Sequence, residues 1–276
     1  MANTIDPVFI DKDVFAQELL MEATNALAPI SKFSQRWDAR EVGTLNVKFP
    51  RIGSGGTEVN PSDYIGGAAT MDAVQVPVSE YSLPFEISNI ELNNGIRLMD
   101  FAKTKLREYL QDIVGATTAL MTEANFGATP GVDAGAFTVA DLPKMAVEAK
   151  GMDKVCILEP SQYATVIPTN GDSLDPTKSA YGFSQGVHMV DAPLSADAKG
   201  FGGGSSAIAL AGGMPAKWAE FANTENHLVI QTEIGLPVLF RIWTDSNTGT
   251  HYGNYVSLFG AVIADVGAGT VIIDTP

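Results

Sequence analysis

The sequence predicts an α+β fold whose elements reach further than one core covers. Three observations carry this. Apolar residues alternate with period two between Gly43 and Ile87, one helical stripe runs from about Asn94 to Phe126, and residues 226–276 return to period two. The order suggests five segments: an N-terminal arm (1–40), a long hairpin (41–88), a helical segment (89–135), an α/β segment (136–225) and a β return (226–276).

In the arm, Phe15, Leu19, Glu22 or Ala23, and Ala26 or Leu27 recur at helical spacing behind Asp11 and Asp13, acidic residues that suit a helix N-terminus, and Pro29 ends the run. One helix with one apolar stripe needs cover from this chain or another copy. In the hairpin, Leu45, Val47 and Phe49 alternate with Thr44, Asn46 and Lys48, and a Gly-rich tip spans roughly Gly53 to Asp72. The return carries Val74, Val76 and Val78, then Tyr81, Leu83, Phe85 and Ile87 in the opposite phase. A one-residue phase slip turns the apolar face over, so a bulge or twist is expected between them. Pro50, Pro77 and Pro84 mark both arms as edges, because proline lacks the N–H that a central strand donates. A two-stranded ribbon is marginal in water, so it should lie on something, a neighbouring copy included.

The helical stripe (Leu92, Ile96, Met99, Ala102, Leu106, Leu110, Ile113, Leu120, Ala124) predicts a rod about 50 Å long, with Gly115 as its bend. A compact chain of this size has a radius of gyration of about 19 Å, so the rod would span the whole body. Downstream, Thr138 with Asp141 predicts a capping box, Val155 to Leu158 a buried strand, and Pro160-Ser161 a helix start. The run Gly200 to Gly204, like Gly53 to Gly56, reads as a flexible tip. Ala207 to Leu210 is expected as a strand, and so is Val271 to Ile273. Leu236 to Thr244 and Thr250 to Ala264 form strands joined by Asp245-Ser246-Asn247-Thr248-Gly249, a hairpin turn.

Composition narrows the function classes. Over 276 residues, 18% are charged and the net charge is −15, which opposes a free surface that grips nucleic acid by counterion release. Basic residues cluster at Lys32, Arg36, Arg40, Lys48 and Arg51, and again at Arg97, Lys103, Lys105 and Arg107; opposite-sign patches on one chain suit self-association. There is one cysteine, Cys156, hence no disulfide framework, and no signal-peptide pattern or apolar run of spanning length, so the expected compartment is the cytosol.

His188, His227 and His251 stand singly, without metal-ligand spacing. The glycine runs lack the ending of a phosphate loop, and no carboxylate pair stands out. No catalytic, metal or cofactor residues are assigned. Cys156 with His188 is the one nucleophile arrangement left open, since triad members converge only in space.

Taken in order, these parts resemble the major capsid protein of tailed bacteriophages, a fold shared with encapsulin shells and the herpesvirus capsid floor. Gly43–Ile87 matches the extended loop and Asn94–Phe126 the spine helix. Val155-Cys156-Ile157-Leu158-Glu159-Pro160-Ser161 matches the axial domain's strand and helix. Glu233-Ile234-Gly235-Leu236-Pro237 and Asn254-Tyr255-Val256-Ser257-Leu258-Phe259-Gly260 match closing strands. The resemblance makes 89–135 the peripheral domain with its spine helix, 136–225 the axial domain, and 226–276 strands returning through the axial to the peripheral domain.

It implies a non-enzymatic structural subunit forming pentamers and hexamers of an icosahedral virion shell, assembled in the host cytoplasm around double-stranded DNA without sequence-specific binding. Expected partners are further copies, a separate scaffolding protein, a portal and optionally a decoration protein; no membrane is involved. The scaffold is expected to be separate because the chain starts at Met1 with too little sequence for a fused one. The tip from Ile52 to Thr70 has no lysine, so a non-covalent shell is expected. Expected subunit-interface residues are Arg36, Arg40, Lys48, Arg51, Glu58, Asp63, Tyr64, Arg97, Lys103 and Arg107. The alternatives are an encapsulin-type compartment, an enzyme using Cys156, and a monomeric β-rich binding protein.

Overall fold

Two β-sheets share one large core in the computed structural model, which describes residues 12–27, 30–39, 43–50, 71–88, 98–151, 153–167, 180–190, 194–195, 197–215, 227–232, 234–245, 247 and 250–273. The elements in chain order are α1 (Lys12–Leu27), α2 (Ile30–Phe33), β1 (Ser34–Asp38), β2 (Gly43–Pro50), β3 (Met71–Ile87), α3 (Leu98–Thr118), α4 (Glu123–Phe126), α5 (Leu142–Glu148), β4 (Val155–Leu158), α6 (Pro160–Val166), β5 (Val187–Met189), β6 (Ala198–Gly203), β7 (Ile208–Gly213), β8 (His227–Gln231), β9 (Pro237–Thr244), β10 (His251–Ile263) and β11 (Gly269–Ile273).

The larger sheet is organised by β10. One side of β10 pairs antiparallel with β3 from His251 to Phe259. The other pairs with β9 as far as Val256 and with β7 from Leu258 onward. β1 adds to β7 in parallel, β8 to β9 and β2 to β3, giving seven strands. The smaller sheet runs β11-β6-β4-β5, with β4 and β5 parallel. Phe201 on β6 joins the two halves, its ring 5.7 Å from Phe33 of α2 and 5.1 Å from Phe126 of α4.

The phase slip in β3 is resolved without a bulge. The strand runs unbroken for 17 residues and exchanges partner, pairing with β2 up to Val78 and with β10 from Ser79. Val76 and Val78 pack on one face of the sheet with Ala39, Ala209, Ala211 and Leu258, while Phe85 and Ile87 enter the main core on the other face. The two apolar phases serve two cores on opposite faces of one sheet. Each half of β3 has one partner strand, so Pro77 and Pro84 sit where an N–H is not required on both sides.

The expected rod is corrected. Helix α3 has 21 residues, about 32 Å, and ends at Thr118. It passes through Gly115 without bending there. The break comes at 119–122, where the bonds shorten to Leu120 N–H to Thr117 O and Met121 N–H to Thr118 O. Asn125 Nδ2 donates to Leu120 O, so a side chain satisfies a carbonyl that a longer helix would have used. Residues 94–97 lie outside the described residues.

The glycine run 200–204 is also corrected. It is no tip: Ala198–Gly203 forms β6, an inner strand of the smaller sheet. A Cβ on Gly200 would stand 2.6 Å from Ile272 and 2.8 Å from Leu158, its register partners on either side. Glycine here makes room for large neighbours. The Thr138–Asp141 capping box is present, with the Asp141 carboxylate accepting from the Thr138 N–H at 3.0 Å and its hydroxyl at 3.1 Å. It opens a short 3₁₀ turn that runs into α5.

Candidate assembly interface

The β2–β3 ribbon is covered by its own chain only at its base. Its register runs from Gly43 opposite Val78 to Pro50 opposite Met71, about 26 Å of paired strand. Among the described residues, no element beyond β3 packs on β2 to a comparable extent. At its base Val76 and Val78 are buried, further out Leu45 and Val74 are half-buried, and Thr44, Asn46 and Gln75 face solvent. A half-covered apolar face on a two-stranded ribbon can recruit another surface.

The arm finds its cover within the chain. Phe15, Leu19, Ala23 and Leu27 of α1 are all buried in the main core beside Ala102, Leu106 and Leu110 of α3. Along the rim of this contact Lys103 pairs with Glu18, and Arg107 Nε lies 3.2 Å from Glu22. Both pairs advance by four residues on each helix, so the two helices run in the same direction with one turn matched to one turn. The Glu18 carboxylate, hydrogen-bonded to the ammonium, raises the Lys103 pKa above its ordinary value, with burial opposing.

Arg36 is likewise held by its own chain. Its guanidinium pairs with Asp38 and reaches Gly212 O at 3.4 Å. It lies across Gly235, whose φ of +77° turns β8 into β9; a Cβ at Gly235 would stand 2.1 Å from Arg36 Nη1. The Glu233–Pro237 motif thus acts partly through a glycine that leaves space for an arginine 199 positions earlier. Lys48 stands opposite Ala73 in the ribbon register, and its side chain lies outside the described residues, as do Arg40, Arg51, Glu58, Asp63, Tyr64 and Arg97.

The structure separates the one arrangement considered for catalysis. Cys156 is opposite Val187 and Ile157 opposite His188 in the parallel β4–β5 register, so the thiol and the imidazole belong to opposite faces. Cys156 is fully buried among apolar side chains, and burial pushes its thiol pKa up. His188 Nε2 lies 2.8 Å from Gln185 O. No group of three or more potential metal ligands is found among the described residues, and no described helix is long and apolar enough to cross a membrane.

Some exposed apolar residues escaped the sequence reading. Val147 on α5 is 75% exposed and Trp243 on β9 39% exposed. The Trp243 ring stacks on Tyr252 at 5.8 Å, with the Arg241 guanidinium 4.6 Å above it. The signal was the alternation in β9: with Phe240 and Ile242 inside, Arg241 and Trp243 fall on the other face.

No protein-family model and no curated protein sequence matches the chain. Solved structures do. The capsid subunit of the cyanophage P-SCSP1u aligns over 88% of this chain and 86% of its own, with 10% identity and a TM-score of 0.55. The capsid of a native GTA particle aligns over 92% and 91%, with 12% identity and a TM-score of 0.51. The virus-like particle from Pyrococcus furiosus aligns over 93% and 98%, with 13% identity and a TM-score of 0.52. The chain therefore has the fold that these capsid and particle subunits share.

Proposed function

We propose that this protein is a major capsid subunit that closes with copies of itself, as pentamers and hexamers, into an icosahedral shell around double-stranded DNA. The observation that carries this reading is the end-to-end match in fold to capsid and particle subunits, over about nine-tenths of both chains. The reading is structural rather than enzymatic, and the buried Cys156 lends the enzyme alternative no support.

In this mechanism the ribbon lies over a neighbouring copy, completing the apolar face that its own chain covers only at the base. Net charge of −15 suits a wall that contains DNA without adhering to it. Separate scaffolding and portal proteins, and optionally a decoration protein, belong to the same reading, as do residence in the virion and assembly in the host cytoplasm. Of the basic residues expected at subunit contacts, Arg36, Lys103 and Arg107 already hold carboxylates of their own chain. Contacts between copies are therefore assigned first to the ribbon and its tip, with Lys48, Arg51, Glu58, Asp63 and Tyr64, and to Arg40 and Arg97.

Light scattering and negative-stain microscopy of the expressed protein, with and without a scaffold, test this. Closed particles of uniform size are expected. A species that stays near 29 kDa under both conditions would overturn the reading. A chain in which residues 46–75 are replaced by a two-residue hairpin turn is expected to fold but not to close.

A further inference from the structure

We draw no further inference here: the strongest candidate, the flank of the smaller sheet where Ile167 behind α6 and Met189 on the edge strand β5 stand exposed, carries no proposal because nothing in the structure shows what covers it.

Discussion

Tyr255 on β10 donates its phenolic O–H to the main-chain oxygen of Ala102, 2.8 Å away, in the second turn of α3. Two residues along β10, Ser257 makes a companion contact: its Oγ lies 2.5 Å from the Tyr109 hydroxyl. Tyr255 and Ser257 share one face of β10, and Ala102 and Tyr109 lie two turns apart on one face of α3. The helix is thereby pinned to the central strand at two points, with the Tyr109 and Tyr255 rings 6.1 Å apart between them. Burial drives both phenol pKa values up, so both remain neutral donors through the physiological range.

Removing one hydroxyl should loosen this joint without unfolding it. Tyr255→Phe is expected to cost about 1 kcal/mol in urea unfolding. Tyr109→Phe should cost a similar amount, and the double variant less than the sum, because the rings pack on each other. Strict additivity would show that the two contacts act independently.

How far this joint was legible depended on the kind of information it needs. The stripe through Ala102, Leu106 and Leu110 marked the helix and its buried face, and alternation located β10 to within a residue or so at each end. The two hairpin pairings were legible, but the pairing of β10 with β3 and of β1 with β7 was not, because it is set by contacts more than 160 residues apart. The same gap explains two of the three corrections. Two apolar phases in β3 look like a bulge until the second face is seen to have its own core. Gly200 and Gly203 look like a tip until Ile272, Leu158 and Phe201 are seen to need their space. As for the assembly surface, the ribbon was visible as a long alternating hairpin, but the capture of Lys103 and Arg107 by α1 was not.

Two glycine substitutions should move stability in opposite directions. At Gly115, inside α3, an added Cβ meets nothing within 4 Å, so Gly115→Ala should stabilise by about 0.5–1 kcal/mol, seen as a melting temperature about 2 °C higher. At Gly200 the new methyl meets Ile272 and Leu158 under 3 Å, so Gly200→Ala should cost about 1–3 kcal/mol. A neutral Gly200→Ala would mean that β6 is not an inner strand.

Cys156 should behave as a core residue. In the folded protein a thiol reagent is expected to leave it unmodified, and modification should track unfolding in denaturant. Rapid labelling of the native chain would contradict the packing of the smaller sheet.

The capping box gives a pH dependence of definite sign. Burial alone would raise the Asp141 pKa, but hydrogen bonds from Lys144, at 2.7 Å, and from the Thr138 N–H and hydroxyl outweigh it and hold the carboxyl below its ordinary 3.8. A carboxyl depressed in the folded state adds stability above its unfolded value and loses it as pH falls through the folded one. Stability from this group should be constant above about pH 5 and decline below pH 3.8. Asp141→Asn should remove that acid-limb contribution, at a cost of about 1 kcal/mol at neutral pH. An unchanged acid limb in the variant would refute the assignment.

The α1–α3 ion pairs distinguish contacts within a subunit from contacts between subunits. Glu22 and Arg107 are joined at the rim of a buried apolar stripe, with Arg107 the more exposed of the two. Such pairs contribute at most about 1 kcal/mol, and less in high salt. Arg107→Glu alone should therefore weaken the monomer slightly by placing like charges together, and Glu22→Arg with Arg107→Glu should restore it. If the pair serves only its own subunit, the swapped chain assembles like the wild type, read by light scattering at matched ionic strength. If the swap restores monomer stability while assembly stays impaired, Arg107 also meets a carboxylate of a neighbouring copy. The intrachain pairing in the structure favours the first outcome, because Arg107 is already supplied with a partner of opposite charge one helix away.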